Sequence, residues 1–463
     1  MTTALPIALA SSATPARRSL PWARAKTILG LSAPIVLVAV AWNALGLASL
    51  AMVGRLSVAA VAGVGVAGGL YGVFLAVLNG LDAGVQALVA RRIGAGDARA
   101  AGQTLNDALA LSLMVGTPLM AALYALGPAA ITLVAHDPAV AGQARAYLAA
   151  LAPSLLILPA TYAITAYWNG SGAPKFSLMV TVIEAPFAIG LTACLVFGLA
   201  GLPRLGVVGA GLGSTLSAVI GLCVHIALAA RVVKVPGFLS RRPRLDGALA
   251  VARMGAPVSV QQSLLFLGLI VFIIIVSRLG PRALATGNVL NSVLLVPILA
   301  ATGIGVASAT LAGGALGRRE ADDARAWGWQ AGWVAAAVVA PFSLVVLAAP
   351  RAVLGVFLHD PAAIALGVTP LRILALSMTV DAFGRVVGMT LRGVGATRTA
   401  AGVAFLIQWA VQLPLVWWVG LRLGIGLTGI CASQLLISLA TLVIYGTIWR
   451  GRSWDWTRRA GAV

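Results

Sequence analysis

Charge is what this chain has least of. Only 10% of its 463 residues are charged, against 60% that are hydrophobic, whereas a soluble domain carries about 25% charged residues. A core of that size would have no polar surface to cover it. With a mean hydropathy of +1.00 the composition excludes an ordinary soluble protein and points to an integral membrane protein. Cysteine is nearly absent: Cys194, Cys223 and Cys431 each sit alone in an apolar stretch, which excludes a disulfide framework and a metal cluster. The histidines His136, His225 and His359 are equally scattered and have no ligand spacing. No Gly-x-x-x-x-Gly-Lys-Ser/Thr loop occurs, so ATP hydrolysis of that type is set aside. A concentrated set of catalytic His and Asp near an interface is also missing, which argues against an intramembrane transferase or any other enzyme. No cofactor is implied.

What the chain does have is long apolar runs. A helix needs about 20 apolar residues to cross a bilayer, and such runs fall near 27–53, 58–88, 105–134, 146–168, 177–199, 205–230, 250–277, 283–312, 327–350, 362–391, 399–421 and 425–448. The reading is an all-α integral membrane protein of 12 transmembrane helices. The formal charge of +20 comes from 32 Lys+Arg against 12 Asp+Glu, and the basic residues lie between the apolar runs rather than in one patch, which disfavours nucleic acid. With the N-terminus inside, twenty-three basic residues fall on the cytoplasmic side and seven outside, so both termini are expected in the cytoplasm. The acid-free stretch 1–26 lacks the order of a signal peptide and is read as a cytoplasmic tail, with an organellar transit peptide as the alternative.

The chain repeats itself at an offset of 223 residues. GLDAGVQALVARRIGAGD from Gly80 faces GIGVASATLAGGALGRRE from Gly303, Pro34 faces Pro257, and the turn Asn169–Lys175 faces Arg392–Arg398. Six spans per repeat is an even number, so both halves enter the membrane with the same orientation, a plan that places a binding site between them near the midplane. The expected organisation is a cytoplasmic tail 1–26, a six-helix bundle 27–230, a linker loop 231–249 long enough to let the halves rock, a second bundle 250–448 and a tail 449–463. A channel fits this doubled plan less well than alternating access does.

The span ending in ALVARRIGAGD, its partner ending in ATLAGGALG, the NGSGAPK and LRGVGATR turns, and the closing LGVVGAG and LGIGLTGI segments occur in the order seen in one family. In these features the sequence resembles the multidrug and toxic compound extrusion (MATE) transporters, nearer to bacterial NorM- and DinF-type members. The resemblance covers about Leu29 to Arg450. It implies two six-helix bundles around a central cavity and export of cationic or amphipathic small molecules across a bacterial inner membrane by antiport with H⁺ or Na⁺. A monomer in the lipid bilayer is expected. A flippase for lipid-linked sugars on a similar helix arrangement is the alternative, and it would want a larger, more cationic cavity.

Carboxylates within spans are costly, so they are functional candidates by default. Asp82 lies 9 residues from Arg91, Glu184 lies 9 from Lys175 and Asp381 lies 11 from Arg392; at about 1.5 Å per residue each reaches near the midplane. All three are candidate cation-coupling residues, Asp381 foremost. Asp381, in VDAFGRVVGMTLRGVGATR, is similar to the Asp that NorM-type members carry ahead of the same turn, where the resemblance implies cation coupling. A carboxylate in a poorly solvated cavity readily takes up a proton or another cation. Arg385 stands four residues on, on the same helical face, and a permanent pair would make Asp381 structural. Glu184 precedes Pro186; an ion or substrate contact and a hydrogen bond to a neighbouring Ser or Thr are both open. Asp82 has Gly305 as its repeat partner, and helix-to-helix hydrogen bonding competes with coupling.

Some positions depart from the family pattern. The first-span Asp of DinF-type members is replaced by Ser49 and the fifth-span acid by Thr192, and the seventh-span Glu of NorM-type members falls at Leu264 or Leu265. Gln261 and Gln262 supply amides at the midplane instead. With Asn43, Asn288, Asn291 and Arg385 they form the candidate substrate cavity, and Trp42, Gln408, Trp409 and Gln412 add indole and amide groups suited to flat cations. Pro34 and Pro257 permit a kink that would serve conformational change, or simply begin their helices.

Overall fold

In the computed structural model, residues 21–455 are described. The cytoplasmic tails expected at 1–26 and 449–463 therefore lie mostly outside the described residues. Among the described residues the chain is helical with no strand. The helices are α1 Pro21–Gly54, α2 Val58–Gly94, α3 Ala98–Val134, α4 Pro138–Leu151, α5 Ser154–Gly170, α6 Lys175–Phe197, α7 Val207–Ala227, α8 Leu245–Ser277, α9 Pro281–Gly317, α10 Ala321–Ala348, α11 Pro350–Gly355, α12 Pro361–Gly393, α13 Thr397–Phe405, α14 Leu413–Trp417 and α15 Gly426–Gly451. The longest hold 37 residues, about 55 Å of helix against a hydrocarbon core of about 30 Å, so their ends project beyond it. Wide π-helical turns at Leu228–Val232, Leu406–Gln412 and Trp418–Arg422 extend α7 and join α13, α14 and their neighbours into longer spans.

Among the described residues eleven helices are long and apolar enough to cross a membrane, and α4 with α5 makes a twelfth span only as a pair bent by 50°. The apolar run 146–168 hides that bend because hydropathy does not register a missing donor. Pro153 has no N–H to give the turn before it, and the loosened carbonyls find side chains instead. Tyr124 donates to the Ala149 oxygen at 2.9 Å, Thr215 to that of Ala150 at 3.0 Å and Ser154 to that of Leu151 at 2.6 Å. The repeat equivalent of Pro153 is Leu376, inside the continuous α12.

The described chain forms two compact units, one of Leu37–Gln262 and one of residues 21–36 with 263–455, so the division falls inside α1 and α8. In the first unit α2 presses on the start of α8: a Cβ at Gly80 would strike Ser259 and the Gly255 carbonyl, and one at Gly84 would come within 2.6 Å of the Val251 oxygen. Gly80 and Gly84 are four residues apart, the small-residue spacing that lets two membrane helices approach backbone to backbone. In the second unit Gly303 of α9 meets Ser32 and Val36 of α1 in the same manner. Every residue of one contact stands 223 positions from its counterpart in the other, Gly80 with Gly303, Gly255 with Ser32 and Ser259 with Val36.

The repeat also explains the helix ends. Asp137 and Asp360 each cap a helix that opens on proline, accepting from Ala139 and Ala362 at 2.8 and 3.0 Å. Both stand in His-Asp-Pro-Ala at the common offset. At the paired turns, Gly172 and Gly395 supply positive φ of 70° and 90°, while Gly170 and Gly393 lie too close to α2 and α9 to carry a side chain.

The loop after α7 is not a free linker. Asn106 of α3 donates to the carbonyls of Gly237 and Arg241 at 2.8 and 3.3 Å and accepts from the Leu239 N–H at 3.0 Å. Asp107 accepts from the Arg244 N–H at 2.8 Å, and Gln103 donates to the Arg242 carbonyl at 3.0 Å. Three buried polar side chains on α3 thus satisfy the loop backbone and strap it to the first unit.

Candidate functional site

The second unit holds a narrow polar pocket around Asp381. Arg385, one turn further along α12, donates through Nε and Nη2 to the same Asp381 oxygen, Oδ2, at 3.1 and 2.8 Å. The pair is therefore formed, with side chains 35% and 26% exposed for Arg385 and Asp381. It lines a pocket of about 50 Å³ together with Ser377, Met378, Pro297 and Gln434, room for a few water molecules. Gln434 accepts from Gln412 at 3.1 Å. Gln412 ends the π-helical turn Leu406–Gln412, where the same wide turn brings Gln408 to the Leu265 carbonyl at 3.1 Å. Gln434 went unnoticed in sequence because a single amide in α15 carries no spacing signal; only the fold puts it opposite Asp381.

The first unit holds a different arrangement. Glu184 on α6 is only 4% exposed, and among the described residues it makes no hydrogen bond or ion pair. Its carboxylate lies against Gly221 of α7, where a Cβ would come within 2.5 Å. Of the two readings open for Glu184, the bond to a neighbouring Ser or Thr is not formed among the described residues: Thr181 donates instead to the Ser177 carbonyl at 3.0 Å. Asp82, half-buried between Gly80 and Gly84, likewise has no hydrogen-bond partner among the described residues. The repeat position filled by Arg385 in the second unit is filled by Tyr162 of α5 in the first. In the second unit it carries the neutralising charge; in the first it carries only a phenol. At Gly305, the equivalent of Asp82, the space is taken by Met389.

Among the described residues no group of three His, Cys, Asp or Glu is arranged to hold a metal ion. His225 is spent on structure, accepting through Nδ1 from the buried Trp168 indole at 3.3 Å.

The family model for MatE matches the chain twice, over residues 34–194 and 257–442. The chain belongs to the MatE family. The two matched stretches of this MatE protein begin at Pro34 and Pro257, the prolines that define the 223-residue offset. It is 29% identical over 433 residues to a probable multidrug resistance protein NorM of Bradyrhizobium diazoefficiens, covering 91% of each chain. It is 30% identical to a protein of the same name from Deinococcus radiodurans, covering 88% of this chain and 94% of that one. Its fold is that of solved MATE structures. One described as the outward-facing conformation of a multidrug resistance MATE family transporter of the MOP superfamily has a TM-score of 0.85 at 19% identity, covering 93% and 96% of the two chains. Another, of a MATE in the bent conformation, gives 0.86 at 19% identity and covers 95% and 97%.

The remaining candidates of the MatE chain divide between its units. Asn43, Gln261, Gln262 and Pro257 belong to the first with Asp82 and Glu184; Asn288, Asn291 and Pro34 belong to the second with Asp381 and Arg385. Asn43, Asn288 and Asn291 are exposed, and Asn43 donates only to the Ala39 carbonyl of its own helix at 2.9 Å. Gln261 is buried with Oε1 unbonded. Pro34 and Pro257 lie well inside α1 and α8 rather than at their starts, each within two turns of the point where the compact units divide.

Proposed function

We propose that this protein is a secondary active exporter of organic cations and amphipathic drugs, driven by exchange against H⁺ or Na⁺ in a bacterial inner membrane with both termini in the cytoplasm. The observation that carries this reading is the double MatE match in a chain whose relatives, over most of their length, are named multidrug resistance proteins.

Coupling is assigned to the first unit. Leaving an ionised carboxylate desolvated and unpaired is costly, and taking up a proton or Na⁺ removes that cost. Glu184, 4% exposed and without a hydrogen bond among the described residues, is in that condition, and Asp82, half-buried and likewise without a partner among them, approaches it. Asp381 already has an internal cation in Arg385, so it shapes its pocket and is not the loading group. A coupling ion acts only through different affinities for the two conformations of the carrier; bending at Pro34 and Pro257 supplies the change. The amides of Asn43, Gln261, Gln262, Asn288 and Asn291 contact substrate.

The test is uptake of a fluorescent organic cation into proteoliposomes at zero membrane potential, with a pH gradient or a Na⁺ gradient imposed separately. Flux that follows one gradient and reverses with its sign is the expected result. Flux indifferent to both gradients, across several chemically unlike cations, contradicts the proposal.

A further inference from the structure

Apart from the pocket at Asp381, the second unit carries an apolar groove of about 510 Å³ on α10, α12 and α15. Its walls include Trp329 and Trp333 of α10 and Leu442 and Gly446 of α15, and Phe383 of α12 forms the floor. The rings pack on one another, Trp333 edge-on to Phe383 at 5.1 Å and Trp329 tilted to it at 6.0 Å. The lack of a side chain at Gly332 makes room for the Phe383 ring, which a Cβ would meet at 2.7 Å. At one end α10 and α15 close on each other, where Gly328 accepts the Trp449 ring and Trp449 donates to the Arg325 carbonyl at 3.2 Å. Arg450, in the last turn of α15, lines that same end. It is exposed and, among the described residues, makes no ion pair.

Trp333 is 68% exposed in a helix apolar enough to span a membrane, a surface suited to hydrocarbon. From Leu442 to Arg450 it runs about 12 Å along α15, the direction in which an acyl chain lies. An unpaired guanidinium at the helix end is placed at headgroup level, and an aromatic shelf beside it is typical of an interface. We propose that this groove holds one anionic phospholipid, its acyl chain against Trp333 and Phe383 and its phosphate on Arg450. Thr379 and Val380 line the groove while Met378 and Asp381 line the polar pocket. The bound chain therefore backs the same turn of α12 that carries the Asp381–Arg385 pair.

The test is titration of the purified full chain with phosphatidylglycerol or phosphatidylcholine of identical acyl chains, read by native mass spectrometry. Wild type is expected to bind its first phosphatidylglycerol about fivefold more tightly than phosphatidylcholine, the size of one basic residue's attraction for anionic lipid. Arg450→Gln should abolish that preference and still bind phosphatidylcholine, whereas Arg351→Gln, an exposed arginine away from the groove, should keep it. Gly446→Leu and Ala336→Leu fill the groove from opposite walls, and each should weaken binding of both lipids. A Cβ at Gly446 meets only Trp329, at an ordinary 3.5 Å, so the helix tolerates that change. An undiminished anionic preference in Arg450→Gln overturns the proposal, as does wild-type affinity in both filled variants.

Discussion

The ion pair between Arg24 at the start of α1 and Asp323 at the start of α10 gives a sharp energetic test of the second unit. The two groups meet at 3.0 Å with side chains 8% exposed on each side. Asp323 also accepts from the Trp327 indole at 3.0 Å and from Arg318 at 3.3 Å, and the Arg24 guanidinium lies 5.0 Å above the Trp327 ring. Removing one partner of a buried pair leaves the other charged and desolvated, at a cost of about 3–5 kcal/mol. For a unit of this size that corresponds to a melting temperature lowered by about 6–20 °C in Asp323→Ala. Replacing both groups by apolar residues, as in Arg24→Met with Asp323→Leu, should recover most of the loss. Exposed pairs provide the internal control: Arg244–Asp246, with side chains 65% and 68% exposed, should be worth about 1 kcal/mol or less. The assay is thermal unfolding in detergent followed by tryptophan fluorescence, at one scan rate for all variants. Single variants that melt with the wild type, or a double variant worse than either single one, would refute the assignment of this pair as buried and coupled.

Other consequences follow from the packing. Gly255→Val places methyl groups into the Gly80 carbonyl, and backbone cannot retreat as a side chain can; the variant should fail to give monodisperse protein, whereas Gly451→Val, which faces open space, should purify normally. Asn106→Ala removes three bonds to the loop after α7 and should speed limited proteolysis between residues 232 and 244 at least several-fold, with a stability loss of about 1–3 kcal/mol. Thr215→Val leaves the Ala150 carbonyl at the 50° bend without its donor and should lower stability by about 1 kcal/mol in the same melting assay. A change under a few tenths of a kcal/mol would mean that the Thr215 bond does not help to hold the bend.

The doubled plan was readable in sequence because the repeat conserves contacts, not composition. Gly80 and Gly303 recur at one offset since each presses a helix onto a backbone, and a side chain at either would collide. The same offset contains the His-Asp-Pro-Ala helix caps, a signal equally available in the letters. What sequence could not supply was anything set by a partner far along the chain. The pairing of Asp381 with Arg385 is local and was visible as a spacing, whereas Gln434 gains meaning only from the helix that the fold brings beside it. The loop after α7 reads as a polar linker because its tethers lie on α3, more than 130 residues away. The fourth span reads as one run because a proline interrupts hydrogen bonding without interrupting hydropathy.

The most direct measurement compares gradient-driven cation flux in proteoliposomes for Glu184→Gln, Asp82→Asn and Asp381→Asn against wild type, with each variant first shown to melt as a folded protein. Coupling in the first unit predicts that Glu184→Gln and Asp82→Asn lose the response to the imposed H⁺ or Na⁺ gradient while Asp381→Asn retains it. Intact gradient response in both first-unit variants, with loss in Asp381→Asn, would contradict that assignment and move the coupling group to the Arg385-paired carboxylate.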